Sequence, residues 1–446
     1  MHLKRVQVPD FRVLKDVDIT FEKEFTPRIF PLGSQNGGGK STLLQLIFVL
    51  LHCSQYPEKL HFVKNMIDGF KLRDGENTRM VATFDIVDGE KELNIDFFVC
   101  GESYLRTMFS SEENEKNTVS KFIILENSKS KISQYEKEIS GLESSPSNSA
   151  GNQQRPAKIQ SLKTKINNIN ATKNNLELSG ISKSFSEKIE LTDILYITTY
   201  SSESNDEEQE VLLCQVKALD LENAKKLLNL LSNKVFLAAP STQVFLFLSR
   251  KAKMSLFQNS KYPDDNYHSY LTKAKSELPE LFTYDFFPVD LLIDSFKASR
   301  DKDFQVAIET GAYGNHYQTL LNEFNSLLTN KKLNLKADLS GVNFSVDNGN
   351  EIIELGSEDL SHGELKRLSI YMWLKYRNIE DAIVLMDEIE IAFHPDWQYR
   401  IIADLQDWGP NNQYILATHS YSLCEALTPA HVKEIEPKLL PVKANN

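Results

Sequence analysis

A glycine-rich segment between a predicted strand and a predicted helix constrains the fold of this chain more than any other feature. The segment reads PLGSQNGGGKST and covers residues 31–42. TPRIFPLG has the pattern of a strand, and KSTLLQLIFVLLHCS has the length and apolar content of a buried helix. A loop in this position turns backbone N–H groups toward phosphate oxygens. The sequence therefore predicts an α/β fold with a phosphate-binding loop.

The loop departs from the usual phosphate-binding pattern at one position. That pattern is Gly, four residues, then Gly-Lys-Ser/Thr, which requires a glycine where this chain has Ser34. The segment is therefore a working nucleotide site, a degraded one or a glycine-rich turn of another kind. Residues 36–41 keep every group that would face phosphate. Serine fits the turn if its φ stays negative, since a positive φ costs about 1 kcal/mol or more. We expect a working site with a reshaped entrance.

The composition is that of a globular chain with an acidic balance. For 446 residues, of which 41% are hydrophobic and 25% charged, two or three lobes are expected. The formal net charge of −12 argues against a protein whose whole surface binds the phosphate backbone of nucleic acids, although it allows a local basic patch. The acidic run at 202–210 is interpreted as a solvated loop.

The spacing of the cysteines and the apolar stretches indicate the cellular compartment of the protein. The four cysteines lie far apart, without a CxxC pair or neighbouring histidines, so the sequence does not indicate a zinc site. The amino-terminal residues contain no apolar signal region, and the longest apolar stretches fall short of the roughly 20 residues that a membrane span needs. These features predict a cytoplasmic protein without a membrane-spanning segment.

Two adjacent acids near the carboxyl end are candidates for phosphate chemistry. AIVLMDEIEIAFHP predicts a buried strand that delivers Asp387 and Glu388 at its carboxyl end. There Asp387 would hold Mg²⁺, and Glu388 would orient or deprotonate an attacking water. The alternative is a strand end with two solvated acids, which would be favoured if the glycine-rich loop were missing.

Two further fragments, LSHGE and YILATHS, flank this strand in the sequence. Ser361 and Glu364 have the spacing of a capping box at a helix start. Such an N-terminus, with Gly363 permitting close backbone approach, is also an anion site whose natural target is a γ-phosphate presented by another subunit. His419 follows an apolar strand and is either a structural residue or a hydrogen-bonding sensor of the γ-phosphate.

The long interval between the loop and these fragments contains two segments with the same helical period. In 125–142 and in 159–176, positions recur in alternating steps of three and four, and the polar segment SSPSNSAGNQQRP separates them. Two arms of about 18 residues predict a short antiparallel coiled-coil hairpin about 27 Å long. A two-helix pair packed into the globule is the alternative, which the polar faces of both segments disfavour.

As a set, the motifs resemble those of an ATP-binding-cassette ATPase head of the SMC/RecF/OLD-like class. The resemblance rests on VPDFRVLKDVDITF, GSQNGGGKST (Walker A), LSHGE (signature), VLMDEIEIAFHP (Walker B and D-loop) and LATHS (H-loop). It implies an α/β P-loop ABC-ATPase head with a helical subdomain and an inserted hairpin, and it implies ATP and Mg²⁺ as cofactors. The arms are much shorter than those of chromosome-organising relatives, which argues against long-range DNA tethering.

The resemblance also implies roles for individual residues. The catalytic group would be Glu388, His419 and Lys40, and the metal ligands would be Ser41, Asp387 and Gln243. Gln243 is the choice for the Q-loop glutamine, with Gln215 as the competitor. Contacts with ATP, including those from the signature of a second subunit, are expected from Arg12, Asn36, Gly37, Gly38, Gly39, Lys40, Ser41, Thr42, Gln243, Ser361, Gly363 and Glu364.

The motif order also predicts a division of the chain. The segments are an amino-terminal ATPase lobe with Walker A (1–124), the hairpin (125–178), a continuation of the ATPase lobe with the possible Q-loop (179–249), a mainly helical subdomain (250–350) and a carboxyl-terminal ATPase lobe (351–446). Only a short segment follows His419, and there is no His-Asn-His cluster, so we do not expect a nuclease domain in this chain.

Within the class, the glycine-rich segment and its helix most resemble the Septu-type ATPase, which accompanies an HNH-type nuclease and also occurs in retron systems. This resemblance implies a sensor, regulatory and scaffold subunit of a bacterial antiphage defence complex. Head dimers would sandwich ATP and control a separately encoded nuclease, and nucleic acid would be reached through the complex. The alternative is a RecF-like or SMC-like DNA-repair ATPase that binds DNA directly, which the acidic balance and the short arms disfavour.

Overall fold

A computed structural model of the chain describes residues 1–35, 37–109, 116–144, 155–178, 193–200, 209–254, 267–284, 289–328, 330–336, 338–347, 349, 351–356 and 359–435. Three sequence predictions fall outside these residues in whole or in part: the role of Asn36, the tip of the hairpin and most of the acidic run at 202–210.

The strands, numbered along the chain, are β1 (His2–Phe11), β2 (Leu14–Thr20), β3 (Ile29–Gly33), β4 (Thr78–Asp88), β5 (Lys91–Gly101), β6 (Ile194–Tyr200), β7 (Glu210–Val216), β8 (Val235–Ala239), β9 (Leu281–Thr283), β10 (Lys331–Leu335), β11 (Val342–Asp347), β12 (Ile352–Leu355), β13 (Ile383–Asp387), β14 (Gln413–Ala417) and β15 (Lys433–Glu434).

The helices are α1 (Lys40–Leu51), α2 (Leu60–Ile67), α3 (Glu102–Phe109), α4 (Lys116–Ser144), α5 (Arg155–Leu178), α6 (Leu221–Ser232), α7 (Arg250–Met254), α8 (Tyr267–Glu277), α9 (Val289–Thr310), α10 (His316–Leu327), α11 (His362–Tyr376), α12 (Pro395–Trp408) and α13 (Tyr421–Glu425). None of the described helices combines the length and the apolar character needed to cross a membrane.

A parallel sheet positions the candidate site. Its strand order is β15-β3-β14-β13-β8-β9, and every neighbouring pair is parallel. All residues of β13 and β14 are buried, as expected for apolar strands covered on both faces. Because parallel strands end at one edge of the sheet, the residues after β3, β13 and β14 meet there. These are the predicted Walker A, Walker B and H-loop segments.

Helix α1 lies between this sheet and a second one. The second sheet is antiparallel, with the order β2-β1-β4-β5-β7-β6. Every α1 residue from Leu43 to Leu51 is buried, and the surrounding core contains residues from both sheets. A helix that is apolar on all sides is stable only when it is enclosed in this way. The glycine-rich loop therefore leads into a helix that is covered on both faces.

The region predicted as a mainly helical subdomain contains α7 to α10 and short strands. Helices α9 and α10 pack with α11 and α12 around a second core, to which Phe296, Phe324 and Trp373 contribute. Strands β10, β11 and β12 form a separate three-stranded antiparallel sheet that leads to α11. The division of the chain at residues 250 and 350 stays a prediction.

Both helices of the predicted hairpin are present, as α4 and α5. Ion pairs join them, with Lys158 Nζ 3.1 Å from Glu138 and Lys163 Nζ 3.7 Å from Glu143. Helix α4 also lies on the rest of the protein, since Ser130 Oγ donates to the carbonyl of Pro57 at 2.7 Å. Coiled-coil packing of the pair stays a prediction. The first arm is attached to the body along part of its length, which combines the two arrangements considered from the sequence.

Candidate nucleotide site

Two glycines of the loop are required by close packing. Gly39 precedes α1 with a φ of 91°, in the left-handed region, and a Cβ there would lie 2.5 Å from Leu14 Cδ2. A Cβ on Gly38 would overlap the hydroxyl of Ser34. The loop is thus fitted against the turn between β1 and β2 on one side and against Ser34 on the other.

Ser34 holds the side chain of Lys40. The Lys40 ammonium donates to the Ser34 carbonyl at 3.0 Å and to the Ser34 hydroxyl at 3.2 Å. Lys40 is only 6% exposed, and this burial lowers its pKa, against the opposing charges of Asp387 and Glu390. Ser34 is not among the non-glycine residues with a positive φ, so the condition for serine at this position is met. The unusual residue therefore contacts the lysine that would bind phosphate.

Replacing Ser34 with glycine is expected to raise the rate of ATP hydrolysis about three- to tenfold. The variant removes a hydroxyl contact that competes with phosphate for Lys40, and the net contribution of one hydrogen bond is about 0.5–1.5 kcal/mol. The measurement is the turnover number at saturating ATP. Ser34→Ala removes the hydroxyl and keeps the Cβ, so it should be faster as well if the hydroxyl is the cause. If neither variant is faster than wild type, Ser34 does not limit the rate of ATP hydrolysis.

Asp387 and Ser41 join the Walker A and Walker B segments. Ser41 Oγ donates to Asp387 Oδ1 at 3.0 Å, although the two residues are 346 positions apart in the chain. Asp387 ends β13 and is 2% exposed. Burial raises the pKa of Asp387 to about 7, opposed by the Ser41 hydrogen bond and increased further by the charges of Glu388 and Glu390. Without a cation, the ionised form of the Asp387 carboxylate is therefore energetically unfavourable at this position.

Replacing Asp387 with asparagine is expected to stabilise the protein when nucleotide and Mg²⁺ are removed. The folded-state pKa lies above that of an unfolded aspartate, so the stability contributed by Asp387 is greatest below about pH 4 and is lost as the pH rises through about 7. Asparagine is neutral at every pH and avoids this loss. The free energy of unfolding in EDTA should rise by about 2–4 kcal/mol at pH 8.

The gain from Asp387→Asn should shrink as the pH is lowered from 8 to 5, which denaturant melts at several pH values can measure. Asp407→Asn is the matched control, because Asp407 is exposed on α12. A gain that is independent of pH would contradict the raised pKa of Asp387.

Glu388 follows in a strained backbone conformation. Its φ is 50°, in the left-handed region, and its N–H donates to the carbonyl of Ala417 at 2.9 Å. The side chain is half-buried. A non-glycine residue is kept in such a conformation only when its surroundings fix it. Here the hydrogen bond to Ala417 at the end of β14 holds the Glu388 backbone directly after the last residue of β13.

The signature segment forms the predicted capping box. The Glu364 N–H donates to Ser361 Oγ at 3.2 Å, and the Ser361 N–H donates to Glu364 Oε2 at 2.8 Å. The same Glu364 oxygen accepts a hydrogen bond from Lys331 at 2.6 Å. Ser361 itself is exposed at the start of α11. The Ser361 hydroxyl also donates to Glu364 Oε2 at 2.9 Å, so both the carboxylate and the hydroxyl are used within the capping box of the nucleotide-free chain.

Helix α11 is attached to the segment that follows Walker B. The buried ammonium of Lys366 donates to the carbonyls of Glu388 and Ile391, each at 3.0 Å. A Cβ on Gly363 would lie 2.9 Å from the carbonyl oxygen of Ala392, which explains the glycine by close backbone approach. The signature and the D-loop therefore form one connected surface. Sequence reasoning missed Lys366, because a lysine in a helix is ordinarily exposed.

The two candidates for the Q-loop glutamine lie beside different sheets. Gln243 follows β8, the neighbour of β13, and its Oε1 is 3.5 Å from Nε2 of Gln45 on α1. Gln215 lies instead within the antiparallel sheet, paired with Asp96. The geometry thus brings Gln243, and not its competitor, to the carboxyl edge of the parallel sheet.

Arg12 is directed toward α2. Its guanidinium donates to the carbonyl of Met66 at 2.6 Å, and burial lowers its pKa. Arg12 also has a φ of 53°, and the next two residues, Val13 and Leu14, contact the position that a Cβ of Gly39 would take. The Arg12 turn therefore supports the loop, and a contact between Arg12 and the nucleotide stays a prediction.

His419 is held by an acid that the sequence analysis did not select. The backbone N–H of His419 donates to Glu390 Oε1 at 2.7 Å, and the His419 side chain is exposed. Glu390 lies three residues after Asp387 and is 8% exposed. This third acid is visible in the segment MDEIE, but nothing in the sequence alone shows that it would reach the end of β14.

The donor set fits a hydrated Mg²⁺ ion. Among the described residues, no group of three His, Cys, Asp or Glu side chains forms a ready-made cage for a metal. Mg²⁺ that accompanies nucleotide phosphates needs only one or two protein oxygens, since it keeps several waters. The Ser41 hydroxyl and the Asp387 carboxylate, 3.0 Å apart, supply this number of oxygen ligands. The raised pKa of Asp387 also indicates a carboxylate that a cation would stabilise.

A family model described as the AAA ATPase domain matches residues 1–424. The chain therefore belongs to the AAA ATPase domain family, which confirms the predicted ATPase domain. Curated relatives include "Retron Vc95 probable ATPase" of Vibrio cholerae serotype O1 biovar El Tor, 43% identical over 54 residues, and "Retron Ec83 probable ATPase" of Escherichia coli, 32% identical over 110 residues. These matches cover 12% and 22% of this chain and only 10% and 20% of the relatives' lengths.

Solved structures that resemble the chain include two Smc head domains. One is the head with an extended coiled coil, bound to the C-terminal domain of ScpA, from Pyrococcus furiosus, with a TM-score of 0.31, 10% identity and coverage of 95% of this chain and 91% of that chain. The other is the head with a coiled coil and joint from Pyrococcus yayanosii, with a TM-score of 0.32, 12% identity and coverage of 95% and 93%. These TM-scores are too low to carry a conclusion, and the Septu-type assignment stays a prediction.

Proposed function

We propose that the chain binds ATP and hydrolyses it slowly. The loop N–H groups and Lys40 would hold the phosphates, and Ser41 and Asp387 would bind Mg²⁺, which neutralises charge on the phosphoryl oxygens. Glu388 would accept a proton from the attacking water. The observation that carries the proposal is the 3.0 Å contact between Ser41 Oγ and Asp387 Oδ1, because it brings together two motifs that are useful only as a pair.

Phosphate release from ATP by the purified chain tests this proposal. Release should require Mg²⁺ and should stop in EDTA. Release that persists without a divalent cation, or that persists in Asp387→Ala, would contradict the assignment of this site.

We further propose that two copies pair around ATP through their signature segments. Ser361 and His362 are exposed at the N-terminus of α11, where the helix dipole favours an anion. The Lys366 hydrogen bonds connect this surface to the Glu388 turn of the same subunit. When the signature segment of one copy closes onto the phosphates bound by the other copy, the Lys366 hydrogen bonds would transmit this closure to Glu388 of the first copy. Such coupling between the two sites suits a switch.

For the biological role, we propose a regulatory and scaffold subunit of a bacterial antiphage defence complex that controls a separately encoded, HNH-type nuclease. The local similarity to two retron-associated probable ATPases supports a defence context. The α4–α5 pair is the surface proposed for the partner, because α4 contacts the body near residues 57–59 and at Lys273 of α8, while most residues of α5 are exposed or half-buried.

Shortening the α4–α5 pair is expected to abolish binding of the partner nuclease and to spare ATP binding. Residues 139–157 can be replaced by a short Gly-Ser linker, because Lys158 and Glu138 form an ion pair at 3.1 Å. The α4 residues that contact the body, such as Asn127 and Ser130, are kept. The measurement is co-purification with an HNH-type nuclease co-expressed with the chain, alongside ATP affinity. Complex formation at the wild-type level would argue against this surface.

Direct DNA binding, as in a repair ATPase, is the second candidate. Helix α5 exposes Lys158, Lys163 and Lys165, which could form a local basic patch despite the acidic total. Lys158 and Lys163 are already paired with glutamates of α4. Binding of duplex DNA with a steep dependence of affinity on salt would favour this candidate over the first.

A further inference from the structure

Glu390 connects two of the strand ends that build the site. It lies after β13, and its Oε1 accepts the His419 N–H at 2.7 Å at the end of β14. The same connection is extended by Gln398 on α12, whose Nε2 donates to the carbonyl of Phe393 at 2.9 Å and whose Oε1 accepts from Ser420 Oγ at 2.6 Å. Oε1 of Glu390 therefore already holds the backbone of His419 in place in the nucleotide-free chain.

The other oxygen is buried and has no hydrogen-bond partner. Oε2 of Glu390 has no donor among the described residues, although the side chain is only 8% exposed. A buried carboxylate oxygen without a donor is costly and calls for an explanation, such as an absent water or ion. A purely structural role would be served by Oε1 alone and leaves the second oxygen unexplained.

The electrostatic surroundings place the carboxylate of Glu390 near the nucleotide site. The charge of Glu390 acts on both Asp387 and Lys40, so it lies within reach of the Walker A and Walker B side chains. Three acids, Asp387, Glu388 and Glu390, act on the single ammonium of Lys40. This excess of negative charge favours a hydrated cation, whose bound waters donate hydrogen bonds outward.

We propose that Glu390 is a positioning residue with two contacts: Oε1 fixes the backbone of His419, and Oε2 accepts a hydrogen bond from a water that enters with Mg²⁺-ATP. This inference rests on the proposed ATP site and adds a residue to it. Glu390 would link the cation to the H-loop, whose backbone it already holds at His419 in the nucleotide-free chain.

The test is the Mg²⁺ dependence of nucleotide binding in Glu390→Gln. The amide oxygen of glutamine can still accept the His419 N–H, while its amino group replaces the free acceptor with a donor. Binding of a fluorescent, non-hydrolysed ATP analogue is titrated in EDTA and at increasing Mg²⁺. Because one charge-assisted hydrogen bond is removed, the half-saturating Mg²⁺ concentration should rise about tenfold. Affinity in EDTA should stay within about twofold of wild type.

Glu380→Gln is the matched control, because Glu380 is exposed near the opposite end of β13 and should leave both values unchanged. Wild-type Mg²⁺ dependence in Glu390→Gln would overturn the inference, and so would an equal loss of affinity with and without Mg²⁺. If that variant does not fold, Glu390→Asp keeps the charge but retracts it, and an unchanged Mg²⁺ dependence in Glu390→Asp would also overturn it. A wild-type chain that binds no analogue at any Mg²⁺ concentration would overturn the ATP site itself, and this inference with it.

Discussion

Replacing Lys40 with alanine is expected to weaken ATP binding at least a hundredfold. Lys40 is the cation of the loop, and its ammonium, which contacts Ser34 in the nucleotide-free chain, would move to the phosphates. Loss of charge-assisted hydrogen bonds to two phosphate groups removes about 3 kcal/mol or more, which corresponds to this factor. Isothermal titration with a non-hydrolysed ATP analogue measures the change.

Lys332→Ala is the matched control for this prediction, because Lys332 is an exposed lysine on β10. It should bind the analogue as wild type does. Nucleotide affinity retained in Lys40→Ala would show that the glycine-rich loop is not the phosphate site, and the functional assignment would fail with it.

Replacing Glu388 with glutamine is expected to trap an ATP-bound dimer. The amide keeps the shape of the side chain and the strained turn at φ 50°, but it cannot accept the proton of the attacking water. Hydrolysis should fall about 10²–10⁴-fold while ATP affinity is kept. Size-exclusion chromatography with light scattering should then show twice the monomer mass with ATP and the monomer mass without it.

A double variant separates trapping from unspecific association. Adding Ser361→Arg to Glu388→Gln places a bulky cation at the exposed start of α11 and should prevent pairing. ATP binding by each single head should persist. An ATP-dependent dimer that survives this second substitution would show that the signature segment is not the interface.

Local patterns in the sequence were sufficient to predict the elements that carry the site. The glycine-rich loop before an apolar helix, the run IVLMD and the Ser361–Glu364 spacing are each complete within a few residues, and each is confirmed as loop and helix, strand or capping box. Such features depend on backbone geometry and on contacts three or four residues apart. A single sequence therefore contains the information that fixes them.

The contacts that connect these elements could not be predicted in the same way. The hydrogen bond from His419 to Glu390, the attachment of Lys366 to the Glu388 turn and the contact between Ser34 and Lys40 depend on how strands and helices pack. Lys366 illustrates the reason. Only the tertiary fold provides two carbonyl acceptors within the core, which is what makes a buried ammonium acceptable there.

The placement of β3 has a consequence for the synthesis of the protein. β3 pairs on its two sides with β14 and β15, which the ribosome produces last among the strands. Ser41 and Asp387 are separated by 346 residues, so at about 5–20 residues per second roughly 20–70 s pass after the apolar α1 helix is made before the parallel strands β13 and β14 exist to cover one of its faces. During this time the nascent chain exposes that face of α1 and the open edges of β3. Production of the protein should therefore depend on chaperones that bind nascent chains, and slow translation or premature release should yield aggregates.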